Sequence, residues 1–567
     1  MKNADLFSAF LPMVSFGRCI PDTCSTTDLE TSLQVFLNEL NLKDLHPFVL
    51  NCHTADEEIP FTTADWVMIS VVLLFSILIF IGTFIDLTIK YLDAEFYSER
   101  VVQIFGGFSL YTNTVKLFST GNVRPDSLTS INGIRFLSMT WVLFSHSYSE
   151  FTGGLPVNNR FTMYDPEGPV YGRPAFQAIL NGFPSVDSFF FIGATLLSYI
   201  TLKELDKNKS SIKFWLMFYV HRYIRLTGVY ALAMGLWATL LRHLATGPQS
   251  ARLVVEADAC RESWWVNMLY INNVMPQWNV EQPWCLGQSW YLANDMQFFI
   301  ISPIFLYFLW RMPIFGLILS FFGLLIGTVL PMLVVYFMDL ELSPSFITTD
   351  WSYMIDLYIV PWCRFQPYIL GLIFGYFLHK MRGQPKLKIN PYFLVWIWAI
   401  IGAIGCVTVY GLYPYVQEFI KEPGMVGSLA ARVAYNGLHR IAWSICVGWV
   451  ILACTKGAGG PVNSILSWPA WIPLARLSYC IYLVHMTVIA YFVSIITYSV
   501  TFSHSLALYW ILAMLCFSIF VAYIMSMLFE IPLAHMEKIL FAYLGVGKFP
   551  AVKKPQAAKV IVNGKVI

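Results

Sequence analysis

Charged residues are scarce in this sequence, and their scarcity excludes a water-soluble globule. Of the 567 residues, 12% are Asp, Glu, Lys or Arg, whereas 57% are hydrophobic and 17% are aromatic. A soluble domain carries roughly a quarter charged residues, so lipid must solvate part of this chain. The formal net charge of +2 is far from the basic balance of nucleic-acid-binding proteins, and we expect no nucleic-acid partner.

Several catalytic signatures are also absent. The chain has no Walker loop, no GxSxG elbow and no HExxH pair, which argues against ATP-driven transport, serine hydrolysis and zinc-dependent proteolysis. The cysteines lack the spacing of a structural zinc site. We therefore expect no bound metal and no bound cofactor.

Eleven apolar runs are long enough to cross a bilayer, since a membrane helix needs about 20 mostly apolar residues. Irregular backbone cannot face lipid, so these runs must be helical. They are Trp66–Ile89, Ile131–Tyr148, Val186–Leu202, Tyr223–Leu244, Trp290–Trp310, Ile314–Met338, Leu357–His379, Tyr392–Tyr413, Asn436–Cys454, Ile472–Ile496 and Leu506–Phe529. The sequence thus predicts an all-α polytopic membrane protein of about 11 transmembrane helices.

Lys and Arg are concentrated in alternate loops between these runs, which places those loops in the cytosol. The intervening loops are poor in cations, and Asp339–Asp356 contains none. This orientation puts the N-terminal segment outside the cytosol, either extracellular or lumenal, and the C-terminus inside. The plasma membrane and the endoplasmic reticulum fit it equally well.

Five of the 11 cysteines lie in polar segments on the non-cytosolic side of this topology, which indicates an oxidising compartment. We predict a disulfide bond between Cys260 and Cys285. A further bridge is expected among Cys19, Cys24 and Cys52, with the remaining thiol free or paired upstream. Because the N-terminal stretch is acidic and cysteine-bearing but follows no signal peptide, we expect the natural protein to extend further upstream.

Ionisable side chains inside apolar runs are the first functional candidates, because their burial in lipid is costly. Arg135 and His146 are eleven residues apart, and eleven helical steps return to within about 20° of the start, so both project from one face. A neutral imidazole at position 146 could take a proton from an alcohol. A histidine that is merely hydrogen-bonded within a helix bundle is an equally good interpretation.

Two further candidates carry charge. Arg222 and Arg225 share a helix face and could clamp phosphates, although arginines also anchor helices at the cytosolic surface. Asp295 lies in an apolar run and needs a partner, either a structural cation or a catalytic group that it orients.

Weaker candidates are polar residues for which a structural role is common. Ser478, Tyr482 and His485 form a stripe at i, i+4 and i+7, and such stripes most often join helices. Asp187 opens the third run and could be an N-cap.

Four motifs, in order along residues 128–529, resemble the acyltransferase 3 family of membrane proteins. They are Asn-Gly-Ile-Arg135 with His146, the pair within His221–Arg225, the Trp290–Gln297 segment, and Leu477–His485. The cysteine pattern of Gly17–Cys24 and Cys52 resembles an animal branch, the nose resistant to fluoxetine proteins. Those proteins carry an extracellular domain before the first span, and we expect a truncated form of it here.

The resemblance implies one N-terminal span followed by a ten-helix acyltransferase core. It implies five regions: a small N-terminal extracellular or lumenal segment, the first span, a cytosolic linker, the acyltransferase domain and a basic cytosolic tail. Their bounds are 1–65, 66–89, 90–127, 128–530 and 531–567.

The resemblance also implies O-acyl transfer from a thioester such as acyl-CoA to a lipid, a sugar or another hydroxyl compound. By position, His146 would be the general base, with Asp295 also in the catalytic set. Donor-binding residues would be Arg135, Arg222 and Arg225. Supporting residues would be Ser478, Tyr482, His485, Gln297 and Asp187.

Two positions depart from the family pattern, and two other functions are alternatives to acyl transfer. Gly193 and Ala194 stand where the family often has Ser-Gly, and Asp295 stands where it has Glu. One rival is a lipid or xenobiotic carrier that uses the scaffold without catalysis. The other is a receptor or scaffold that acts through the N-terminal cysteine segment. The expected partners are the bilayer, an acyl donor and a hydrophobic or hydroxyl-bearing acceptor, and the oligomeric state stays open.

Overall fold

The computed structural model is predominantly α-helical. It describes residues 25–39, 59–92, 97–121, 128–163, 170–245, 247, 249–275, 285–343, 352–384, 388–421, 425–545, 561–562 and 565–566. Within these ranges lie the α-helices α1 (Thr26–Glu39), α2 (Thr63–Leu92), α3 (Glu99–Phe105), α4 (Leu110–Phe118), α5 (Ser130–Ser149), α6 (Gln177–Leu180), α7 (Pro184–Asn208), α8 (Ile212–Ala238), α9 (Leu241–Leu244), α10 (Ser250–Met268), α11 (Trp290–Arg311), α12 (Pro313–Met338), α13 (Phe365–Lys380), α14 (Pro391–Tyr410), α15 (Tyr413–Lys421), α16 (Leu429–Thr455), α17 (Gly460–Leu466), α18 (Trp471–Ser494), α19 (His504–Met525) and α20 (Ile531–Tyr543).

Shorter elements complete the described chain. Antiparallel strands β1 (Ile561–Val562) and β2 (Lys565–Val566) pair near the C-terminus. The 3₁₀ segments are Arg160–Met163, Pro174–Phe176, Gly287–Ser289 and Pro361–Cys363, and the π-helical segments are Tyr353–Tyr358 and Ser526–Glu530.

The predicted helical membrane architecture is confirmed in its coarse form, and the chain is an integral membrane protein. In the described part, eight helices are long and apolar enough to cross a bilayer: α2, α7, α11, α12, α14 with α15, α16, α18 and α19 with α20. The other three predicted runs fall on α5, α8 and α13, which do not meet the same test. Helix α13 has only 16 residues, and α5 and α8 carry polar side chains, so the count of eleven stays a prediction.

Helix α7 packs against α13 with almost no space between the two backbones. A Cβ atom added at Gly371 would collide with the carbonyl of Phe191, and one at Gly375 with the carbonyl of Thr195. Small residues at such positions let membrane helices approach closely. The pair forms a rigid wall at the centre of the bundle, and the site described below lies beside it.

The first span, α2, is exposed along most of its length but is held by polar contacts near both ends. At one end, Asp65 forms an ion pair with Arg261 at 2.6 Å and lies 3.4 Å from His243. At the other end, Asp86 accepts a hydrogen bond from Thr112 at 2.6 Å. Helix α4, in the predicted linker, is therefore ordered against α2.

A disulfide bond joins Cys260, in α10, to Cys285, just before α11. The side-chain amide of Asn267 donates a hydrogen bond to the Cys285 carbonyl at 2.8 Å, which holds the same loop. Cys19, Cys24 and Cys52 lie outside the described residues.

Loss of this disulfide should destabilise the protein. The bond closes a loop across 25 positions, and a disulfide that closes a loop of that length contributes about 3.5 kcal/mol. We expect Cys260→Ser to lower the free energy of unfolding by that amount in detergent-solubilised protein, measured by thermal or denaturant unfolding. Cys516→Ser, at an exposed free thiol, is the matched control. Equal stability of the two variants would contradict the prediction.

Candidate active site

A chamber of about 1580 Å³ lies among the helices of the bundle. Helix α5 contributes Arg135, Met139, Val142 and His146, which share one face of the helix. The other walls come from α4, α7, α8, α11, α18 and α20 and from the π-helical segment before α20. Residues 531–543, assigned to the basic tail from sequence, form α20, so part of that segment belongs to the chamber wall.

A pair of stacked histidines lies at one end of the chamber. The rings of His146 and His485 are nearly parallel, with centroids 5.3 Å apart. Nδ1 of His146 lies 3.0 Å from Nε2 of His485, and Nδ1 of His485 lies 2.8 Å from the carbonyl oxygen of Tyr482. The two predicted residues are thus brought together from α5 and α18, across 339 positions of sequence.

These contacts assign the tautomers of both neutral rings. The carbonyl of Tyr482 can only accept, so Nδ1–H of His485 donates to it and Nε2 of His485 keeps a lone pair. That lone pair accepts from Nδ1–H of His146, which leaves the lone pair on Nε2 of His146. This nitrogen has no other hydrogen-bond partner in the described part of the chain. His146 can therefore accept a proton from a molecule in the chamber.

The stripe on α18 does more than join helices. Ser478, Tyr482 and His485 all line the chamber. The Tyr482 hydroxyl donates to the carbonyl of Gln288 at 2.5 Å, which links α18 to the turn before α11. Ser478 donates at 3.3 Å to Leu474 in its own helix. The stripe therefore orients His485 through Tyr482, while Ser478 adds a hydroxyl to the wall.

Arg222 and Asp295 form an ion pair in the chamber wall. The Arg222 guanidinium also lies over the ring of Phe299, 4.4 Å from its centroid. Arg222 is therefore the cationic partner that was expected for Asp295. Asp295 makes no hydrogen bond to His146. Arg222 is thus engaged by a carboxylate whereas Arg225 has no ion pair, and the proposal that the two arginines clamp phosphates stays a prediction.

Arg135 and Arg225 line the chamber and have neither an ion pair nor a hydrogen bond with any described residue. Their charges are close enough to repel each other. The Glu537 carboxylate on α20 interacts electrostatically with Arg225 but makes no ion pair with it. Two guanidiniums held near each other without an ion pair favour a multivalent anion such as a phosphate group. The chamber therefore combines an anion-attracting region with a proton acceptor.

Gln297 and Asp187 lie away from the chamber. Gln297 donates to the Tyr270 carbonyl and to Asn273, both at 2.8 Å, in a network of amides. The sequence suggested that Asp187 could be an N-cap, but it is not. It lies inside the first turn of α7, and its carboxylate forms a fully buried ion pair with Arg364 at 2.9 Å. Both residues hold the bundle together.

The partners of Asp187 were not predicted from the sequence. Arg364 is completely buried, and Arg440 is 1% exposed and donates to the Asn436 carbonyl at 3.0 Å. Both arginines lie in apolar stretches of the sequence. Because burying a charge in such a stretch is costly, their positions alone could have marked them as candidates for an ion pair.

A second overlooked group lies on the chamber wall. Glu530 accepts hydrogen bonds from the Ser526 hydroxyl at 2.6 Å and from the Cys480 thiol at 3.3 Å. Ser526 and Glu530 line the chamber from the π-helical segment that joins α19 to α20. Isolated π turns are frequent at functional sites, but the periodicity of apolar residues in the sequence does not distinguish a π turn from an α-helix here.

No group of three or more metal-ligating side chains occurs among the residues that the structure describes. The helices and the chamber define the class: an integral membrane protein in which a histidine pair and several arginines line one chamber. Residues 128–527 match the acyltransferase domain, and the chain belongs to the acyltransferase 3 family. The family predicted from four motifs is confirmed.

Two relatives from Caenorhabditis elegans are similar over most of this chain. Nose resistant to fluoxetine protein 6 is 27% identical over 582 aligned residues, which cover 94% of this chain and 67% of the relative. Regulator of hypoxia-inducible factor 1 is 23% identical over 469 residues, which cover 78% of this chain and 86% of the relative. No solved structure matches the chain.

Proposed function

We propose that this protein is a membrane-bound O-acyltransferase that moves an acyl group from acyl-CoA to a hydroxyl-bearing, lipid-related acceptor. The observation that carries the proposal is the shared chamber: His146 lines it together with Arg135 and Arg225. A chamber that reaches both groups lets a phosphate-bearing donor and a hydroxyl acceptor meet at one base.

In acyl transfer one proton moves from the acceptor hydroxyl to the base and then from the base to the leaving group. Nε2 of His146 takes the proton of the acceptor hydroxyl, and the oxygen attacks the thioester carbonyl carbon. The carbon–sulfur bond then breaks, and the coenzyme A thiolate recovers the proton from His146. The products are an ester and the free thiol, and the histidine returns to its neutral form. A thiolate leaves readily, so the reaction requires no second acid.

His485 is a positioning residue in this mechanism. Its Nε2 lone pair holds Nδ1–H of His146 at 3.0 Å, which points Nε2 of His146 into the chamber. The same lone pair stabilises the imidazolium that forms at His146 when it takes the proton. The carbonyl of Tyr482 orients His485 in turn, at 2.8 Å.

Arg135 and Arg225 attract the phosphates of the donor. Loss of a charge-assisted hydrogen bond costs about 1.5–3 kcal/mol, which corresponds to a tenfold or larger rise in KM. We expect Arg135→Gln and Arg225→Gln each to raise KM for acyl-CoA about tenfold, with little change in kcat. The measurement is steady-state transfer of labelled acetyl groups by purified protein in detergent or vesicles.

The donor itself supplies the sharpest control. S-acetyl-N-acetylcysteamine carries the thioester without phosphates, so its KM should be the same for wild type and both variants. Arg311→Gln, at the exposed end of α11, is the matched arginine control. Equal losses with both donors would show that the arginines do not recognise phosphate.

The membrane orientation supports this assignment of the donor. We propose that the N-terminal segment and the Cys260–Cys285 loop lie outside the cytosol, since a disulfide bond there fits an oxidising compartment. The C-terminus then lies in the cytosol. Helix α5 begins on that side, so Arg135 is nearer the cytosolic supply of acyl-CoA than His146.

A carrier of lipids or other hydrophobic compounds is the second candidate. It is favoured by the volume of the chamber and by the absence of a side chain at Gly193, which leaves open space beside Asp295. Uptake of a labelled hydrophobic compound that is equal in wild type and His146→Ala, with no acylated product, would support the carrier and reject the transferase.

A further inference from the structure

One wall of the chamber plays no part in the chemistry described above. On α7, Gly193, Leu196, Leu197 and Ile200 follow the helical repeat and line the chamber. An apolar stripe on α8 faces the same space, and it consists of Phe214, Met217 and Phe218. The two stripes form a groove, called the α7–α8 groove below, that continues from the polar part of the chamber.

Gly193 stands where the groove meets the polar part of the chamber. A Cβ atom added there would meet a single heavy atom within 4 Å, Oδ1 of Asp295 at 3.9 Å. Gly371 and Gly375 differ, because a Cβ at either position would collide with the backbone of α7. Helix packing therefore does not require a glycine at position 193, and its missing side chain keeps the passage open.

The α7–α8 groove reaches the protein surface at Ile200, near the end of the apolar part of α7. Ile200 lines the chamber and is also 54% exposed. It lies eight residues before Asn208, the last residue of α7, which is about 12 Å along the helix axis. Thr201 and Glu204 line the chamber next along α7, so the groove opens where the apolar part of this spanning helix ends, within reach of a molecule in the membrane.

Charge divides the chamber between two substrates. Arg135 and Arg225 attract the anionic donor, whereas the α7–α8 groove presents apolar side chains from Gly193 to Ile200, and the polar Thr201 and Glu204 follow at its outer end. A molecule that enters from the bilayer, carries an alkyl chain and ends in a hydroxyl group fits the groove with its chain and reaches the histidine pair with its head.

We propose that the α7–α8 groove binds the alkyl chain of the acceptor, a membrane-resident alcohol, and that Gly193 is the specificity-determining residue at its inner end. This inference rests on the proposed acyl transfer. Each methylene buried in the groove should improve kcat/KM for the acceptor about fourfold until the groove is filled. A side chain at position 193 would block the chain and so favour short acceptors.

The test is acetyl transfer from acetyl-CoA to a series of primary alcohols of increasing chain length, with wild type and Gly193→Leu. In wild type, kcat/KM should rise with chain length. In Gly193→Leu, the ratio of kcat/KM for long over short alcohols should fall at least tenfold. Gly402→Leu, at a glycine with open space around it and outside the chamber, should keep the wild-type ratio.

Other outcomes would overturn the inference. An unchanged ratio in Gly193→Leu would show that the acceptor chain does not pass this residue. If instead the activity of the variant with long-chain acyl donors falls when a short alcohol is the acceptor, the groove binds the acyl chain of the donor. Should Gly193→Leu fail to fold, Met217→Trp narrows the groove from α8 and must produce the same fall in the ratio. Absence of any acetyl transfer by wild type would reject the proposed function itself, which is a separate result.

Discussion

His146→Ala is expected to lower the rate of acyl transfer by about 10²–10⁴-fold, the contribution of a positioned general base. The variant loses Nε2, the ring nitrogen that remains free to accept a proton once His485 has engaged Nδ1. Without it, the acceptor hydroxyl must attack in its protonated form. Membranes that contain each variant, incubated with labelled acyl-CoA, provide the measurement through the initial rate of acceptor labelling.

Variants of neighbouring histidines make the test specific. His485→Gln should lower kcat less than His146→Ala, because His485 orients the base and does not itself take the substrate proton. His504→Ala is the matched control, since that ring is exposed and contacts Arg173 outside the chamber. Full activity of His146→Ala in folded protein would remove the histidine pair from the mechanism.

Asp187→Asn is expected to destabilise the protein by about 3–5 kcal/mol, the usual result of removing one partner from a buried ion pair. Arg364 is fully buried and Arg440 is 1% exposed, and Asp187 attracts both guanidiniums. The neutral amide would leave two buried positive charges without a counter-charge. Unfolding of purified protein in detergent, followed by heat or denaturant, should show the loss.

The cluster contains one carboxylate and two guanidiniums, which predicts how strongly each variant is destabilised. Arg364→Met should cost less than Asp187→Asn, because the carboxylate keeps Arg440 as a partner. Asp258→Asn is the control, since the Asp258 side chain in the pair with Arg242 is 52% exposed and surface pairs contribute about 1 kcal/mol or less. If Asp187→Asn is no worse than this control, the buried pair does not stabilise the bundle.

Neither experiment depends on the identity of the acceptor. The first measures chemistry in the chamber, and the second measures the stability of a buried ion pair that does not line it. A protein that is stable yet inactive after His146→Ala would separate the two roles. A protein in which both variants unfold would instead show that His146 is mainly structural.

Sequence alone was sufficient for features that depend on local composition. Eight of the spanning helices followed from apolar runs, because the bilayer requires about 20 apolar residues in each span and backbone hydrogen bonds within it. The run Leu357–His379 was predicted as one helix, but π-helical and 3₁₀ turns precede α13 there. His146, Arg135, Arg222 and Arg225 followed from the cost of charge in such runs and from the spacing of the motifs. The family followed from the order of those motifs and is confirmed.

Sequence could not assign partners that lie far apart in the chain. His146 meets His485 across 339 positions, and Arg364 meets Asp187 across 177. Periodicity says which face of a helix a side chain occupies, but it does not say which other helix that face meets.

The division between sequence and tertiary structure is therefore physical. Composition determined that this chain lies in a membrane, that it is helical, and which polar side chains had to avoid lipid. Only the packing of the helices decided that Arg222 pairs with Asp295 while Arg135 and Arg225 make no ion pair, and that one chamber joins them to His146. Ion pairs and cavities depend on distances between helices, and those distances are set by side-chain shapes across the whole bundle.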